Sequence, residues 1–168
     1  MSLSPHHILG AAAIGVGASL LMDAWNLLLK RAVGIPFLSY CLLGRWLLHM
    51  SEGTFSHASI SAAPTKRFEC TVGWLAHYSI GVAFALGFLA LQSGDWLAHP
   101  TLLPALIYGI ATVVFPLFIM QPALGLGIAA SRTPKPMQAR LKSLVTHTVF
   151  GVSLYLCALV VGQLLPAA

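Results

Sequence analysis

Four apolar stretches set what this chain can fold into, because each is long enough to cross about 30 Å of hydrocarbon at about 1.5 Å rise per residue. They run over residues 7–29, 70–91, 101–130 and 141–165. Charge is scarce throughout: 8% of the residues are charged and 58% are hydrophobic. A soluble domain carries roughly a quarter charged residues and needs them to cover its surface. Lipid removes that need. Residues 1–168 therefore read as a single integral membrane domain, an all-α bundle of four transmembrane helices. No basic region precedes the first stretch, so the sequence predicts a retained helix there and not a cleaved signal.

Charge orients the helices. Lys30, Arg31, Arg45, Lys66 and Arg67 lie between the first and second, and Arg132, Lys135, Arg140 and Lys142 between the third and fourth. These are all nine basic residues of the chain, and an even number of crossings places both connections on one side. The positive-inside rule makes that side cytoplasmic and both termini periplasmic. The net charge of +5 does not point to nucleic acid, because no basic run interleaves with aromatics to track phosphates. The bilayer is the expected partner, with Arg132, Lys135, Arg140 and Lys142 placed to meet anionic headgroups. The sequence is silent on oligomeric state.

The long first connection holds a further element. Residues 37–50 read as a short interfacial helix, too short to span. Cys41, Arg45 and His49 recur at i, i+4, i+8 and share one face, so a lid over the cytoplasmic mouth of the bundle is the functional alternative. Residues 51–65 are small, polar and loop-like, and His57 among them reads as an ordinary loop residue. Cys41, Cys70 and Cys157 are far apart and lack metal spacing, which predicts reduced thiols.

The second and fourth stretches align at an offset of 70 residues, which superposes His77-x-x-x-Gly81-Val82 on His147-x-x-x-Gly151-Val152. A weaker match sets Gly15 of the first against Gly109 of the third. The pattern fits two fused helical hairpins, with the interfacial helix inserted in one of them.

Ionisable groups inside a membrane are costly and turn toward the interior. Asp23, His77 and His147 each lie roughly 9–10 Å inside the cytoplasmic end of a helix, with Met120 and Gln121 slightly deeper. Ser19, Asp23, Asn26 and Lys30 form a polar stripe on the first helix. Asp23, Asn26, His77, Gln121, His147, Arg45 and His49 are thus the candidate ligand or ion site. Three functions compete. The site binds or passes a small ligand, ion or proton, for which imidazole is suited near neutral pH. Alternatively Asp23, His77 and His147 hold a transition metal, or the two histidines a haem, in a membrane redox protein. Or the polar contacts only fix helix register or bind a partner. The chain carries no phosphate-binding loop, G-x-S-x-G or H-E-x-x-H, and the sequence names no reaction.

Several strings occur together: Gly44-Arg45-Trp46-Leu47 with His49, Gly73-Trp74-Leu75-Ala76-His77-Tyr78, Met120-Gln121-Pro122, and Ala129-Ala130-Ser131-Arg132-Thr133-Pro134 followed by Arg140 and His147. With them the chain resembles, over nearly its whole length, a bacterial inner-membrane family catalogued only as a domain of unknown function. The resemblance implies four helices and a bacterial inner membrane, and no established activity.

Overall fold

The computed structural model describes residues 5–34, 39–92 and 96–164. Among them the chain is helical throughout, in the order α1 (Pro5–Val33), α2 (Tyr40–Met50), α3 (Glu69–Leu91), α4 (Leu102–Ala111), a π-helical segment (Pro116–Met120), the single turn α5 (Gln121–Ala123), a 3-10 turn (Ile128–Ala130) and α6 (Pro136–Leu164). Four pieces are long and apolar enough to cross a membrane: Ile8–Val33, Glu69–Leu91, Leu102–Ala123 and Pro136–Leu164. Their outward residues are apolar too, with Leu28, Leu75, Leu103, Ile107, Phe118 and Val160 all exposed. Such a surface suits lipid, not water.

The third span departs from the single helix expected over 101–130. Pro116 has no N–H to return to the preceding turn, and the helix recovers with a π-type bond from the Gln121 N–H to the Pro116 carbonyl. Pro122 and two left-handed glycines, Gly125 (φ +87°) and Gly127 (φ +76°), then end it. Residues past Ala123 fold back as turns. At the other boundaries α1 and α6 extend a few residues beyond the expected limits. The start of the expected interfacial helix, Phe37 and Leu38, lies outside the described residues.

Chain contacts divide the molecule into two compact units. The first comprises residues 1–35, 78–112 and 146–168. Its core holds Ala11, Ile14, Ala18, Ala85, Phe88, Ala105, Phe150 and Leu154, and glycines bring its helix backbones together at matching points of the two hairpins. A methyl group on Gly15 would sit 2.6 Å from Val82 Cα, against the Gly81–Val82 backbone of α3. One on Gly109 of α4 would sit 2.5 Å from the Gly151 nitrogen of α6. Gly15 matches Gly109, and Gly81 matches Gly151, in the internal alignment. Each hairpin is therefore closed by the same glycine-to-glycine contact, which supports the reading of two fused hairpins. The second unit comprises residues 36–77 and 113–145.

Replacing Gly151 with Ile should force the α4 and α6 backbones apart and cost at least about 1–3 kcal/mol, the usual penalty of overpacking. Thermal unfolding in detergent should drop by several degrees for Gly151→Ile and for Gly81→Ile. The lipid-facing control Leu103→Ile should leave the midpoint unmoved.

Candidate functional site

The second unit is built around a polar strap, residues 51–65, and begins with how α2 is seated. Ser39 caps α2 by accepting from the Cys41 N–H. A methyl group on Gly44 would overlap the Glu69 carbonyl, and one on Gly73 would overlap the Tyr40 carbonyl. Only glycine at both positions lets α2 lie with its backbone against the first turns of α3. That contact delivers Arg45 to Glu69, which it meets through two parallel bonds of 2.8 Å, Nε to Oε2 and Nη2 to Oε1. The carboxylate's hydrogen bond raises the guanidinium pKa, so Arg45 stays charged.

Arg45 also organises the strap. Its Nη1 donates toward the carbonyls of Ile60, Ser61 and Ala63 at 3.2–3.4 Å. Trp46 Nε1 donates to the Phe55 carbonyl at 2.8 Å, and His49 Nε2 lies 3.0 Å from the Pro64 carbonyl. On its other side the strap pairs with the end of the third span: the His57 N–H donates to the Ala123 carbonyl at 2.8 Å and the Ile60 N–H to the Leu124 carbonyl at 3.1 Å. Gly125 makes room for this, since a side chain there would strike the Ala58 carbonyl. Below it Ala129 and Ala130 hold left-handed conformations, φ 50° and 59°, disfavoured for any residue with a Cβ. Arg140 Nε stabilises that turn by donating to the Ala129 carbonyl at 2.7 Å.

Two side chains in this arrangement carry shielded polar atoms without a hydrogen-bond partner. Both ring nitrogens of His57 are out of contact with solvent and unbonded, and its ring lies edge-on to His49 with centroids 4.9 Å apart. Gln121 is 7% exposed; its amide nitrogen reaches Ser143 Oγ at 3.4 Å, but its Oε1 meets nothing.

The remaining expected site residues have other neighbours. Asp23 Oδ2 accepts from the Tyr78 hydroxyl at 3.2 Å, Asn26 Oδ1 from Thr146 at 3.4 Å, and His147 Nδ1 lies 2.8 Å from Thr112 Oγ1. These three contacts fall in the first unit. His77, in the second, stacks on Tyr40 at 4.0 Å. Among the described residues no three His, Cys, Asp or Glu side chains are grouped so as to hold a metal ion, so the transition-metal and haem readings gain no support.

A family model described as "Protein of unknown function (DUF2938)" matches residues 12–161. The chain belongs to this family. No curated protein and no solved structure matches it. Membership bears out the resemblance and adds no activity; the matched residues include both spans and strap.

Two groups escaped the sequence reading. Glu69 is the last charge before an apolar run and gave no sign of a partner 24 residues upstream. His57 read as a loop residue because nothing local shows that its loop is held down. A third point is a correction: the structure joins Cys41 and Cys70, expected as reduced thiols, in a disulfide with Cα atoms 3.9 Å apart. The glycine seam brings them together, and a tertiary contact of that kind leaves no spacing in sequence.

Arg45→Met should leave the half-buried Glu69 carboxylate with only the Lys66 N–H as donor and cost about 1–3 kcal/mol. Limited proteolysis should then cut within residues 54–63. The double variant Arg45→Met with Glu69→Met removes the stranded charge and should recover much of the global stability while leaving the strap loose. A second closure, Lys66 to Glu52 at 2.5 Å, is exposed. It lowers the Glu52 pKa through the Lys66 hydrogen bond, so its contribution is present above the ordinary carboxylate value of about 4.3. It is lost only as pH falls through the lowered value. Strap protection from hydrogen exchange should therefore hold between pH 7 and 5 and fall as the pH drops below the ordinary carboxylate range.

Proposed function

We propose that this chain is a multi-pass protein of the bacterial inner membrane, termini outward, that binds or passes a small polar ligand, ion or proton at its cytoplasmic end under the strap. The observation that carries the reading is His57, a half-buried imidazole whose two ring nitrogens are both shielded from solvent and without a hydrogen-bond partner. An unsatisfied buried polar group costs about 1–3 kcal/mol, and native proteins rarely tolerate one without a role. Gln121 Oε1 is a second such group on the facing segment. Their nitrogens and oxygen have no room for a water-sized molecule beside them in the closed state. A proton needs none, and any larger ligand enters when the strap lifts.

Arg45 and His49 hold the strap and face it, which fits the expected lid, though the covering piece is the strap and not α2 itself. By helix register Asp23, His77 and His147 each lie further into the membrane on their own helices, with Asn26 near Asp23 on the first. Arg132 and Lys135 are exposed and suited to anionic headgroups on the same side.

Proton passage is tested in proteoliposomes carrying a pH-sensitive dye under a potassium diffusion potential. Wild-type vesicles should acidify or alkalinise several-fold faster than empty ones, and His57→Phe should reduce the rate to the empty-vesicle level. Ligand binding is tested by native mass spectrometry of protein released from native membranes: a bound mass should be present in wild type and absent in His57→Phe. No flux together with no bound mass contradicts the proposal.

Orientation rests on the basic residues and is tested separately. A phosphatase fused after residue 168 should be active and a fluorescent protein fused there dark; the reverse pattern overturns it.

A further inference from the structure

The Cys41–Cys70 disulfide joins α2 to α3, and three features of its setting bear on what it does. First, other contacts already seat α2. The glycine seam, the Arg45–Glu69 pair and the Tyr40–His77 stack all hold the same two helices together. These contacts return the two sulfurs to opposition after each excursion of α2, which is the preorganisation that makes ring closure fast. Second, Cys70 is exposed, in the first turn of α3 and three residues past the exposed Arg67. Accessible thiols at helix N-termini are among those that exchange. Third, on the orientation proposed above, on which this inference rests, the pair faces the cytoplasm. Glutathione and thioredoxin keep thiols reduced there, and the disulfides that do form are transient and serve catalysis or sensing.

We propose that Cys41 and Cys70 form a reversible dithiol–disulfide switch, oxidised by a low-molecular-weight disulfide of the glutathione class, that locks α2 and hence the strap. The Cys70 thiolate attacks one sulfur of the small disulfide, forming a mixed disulfide and expelling one small thiolate. The Cys41 thiolate then attacks the Cys70 sulfur, forming the protein disulfide and expelling the second. Two protein thiols lose two protons and two electrons, and one small disulfide becomes two thiols. The consequence is mechanical. Arg45 and His49 lie one and two turns beyond Cys41 on α2 and bind the carbonyls of Ile60, Ser61, Ala63 and Pro64. With the bond closed α2 cannot pivot on α3, and the strap stays down. With it open the strap lifts more often.

The test uses the full chain in cells, acid-quenched, denatured and alkylated with a polyethylene-glycol maleimide that adds a gel shift per free thiol. The chain has three cysteines, so reduced protein carries three adducts and the disulfide form one, at Cys157. Unstressed cells should show three adducts, a pulse of diamide should convert them to one, and washing should restore three within minutes. In purified protein, dithiothreitol should speed hydrogen exchange at residues 54–63 several-fold, and Cys70→Ser should exchange at the fast rate with or without it. A single adduct under all conditions, with the terminal reporters still placing residues 30–69 in the cytoplasm, overturns the switch and leaves the orientation standing. The same single adduct with inverted reporters overturns the orientation and the switch together. Three adducts that survive diamide, or equal exchange in both redox states, also overturn the switch.

Discussion

The closest constraint in this molecule is a contact without side chains. Gly44 of α2 and Gly73 of α3 lie against the opposing backbone, where any Cβ would collide with a carbonyl. What is distinctive in the second unit follows from it. Arg45 reaches Glu69 in bidentate geometry because the helices are this close, and the same guanidinium then gathers three strap carbonyls. Cys41 and Cys70 bond because the same approach opposes them. A buried ion pair is weak evidence for stability, since desolvation offsets its attraction. Here its value lies in fixing where an irregular segment runs.

Glycine does similar work in the first unit, at Gly15 against α3 and at Gly109 against α6. In lipid there is no hydrophobic force to press helices together, so close packing through small residues carries more of the association. The matching positions give the internal repeat a physical meaning: each hairpin solves the same packing problem with the same residue. The two histidines that align in the repeat have diverged in company. His147 meets Thr112 of its own hairpin, whereas His77 meets Tyr40 of the inserted helix.

The spans were legible in sequence because hydrocarbon tolerates so little else. An uninterrupted apolar run some twenty residues long has few alternatives. The third run misled in its final part: residues 124–130 are as apolar as a helix, but Pro122, Gly125 and Gly127 break the backbone pattern that composition suggests. The shared face of Arg45 and His49 was legible from their spacing, and both side chains are buried, 8% exposed each. Their partners were not legible. Glu69 and the Cys41–Cys70 bond depend on the close approach of two helices, and His57 on how a polar segment without periodicity is laid across its neighbours. Hydrophobic patterning says nothing about that path.

The functional account turns on whether His57 and Gln121 are polar groups waiting for an occupant. The most direct measurement is an experimental map of the protein in nanodiscs, at a resolution that shows ordered water and ions, with the cysteine pair reduced. The account requires the strap to be lifted in part of the particles, with non-protein density against the His57 ring nitrogens or Gln121 Oε1. A single closed state, with both groups bonded to protein atoms and no density beside them, would contradict it.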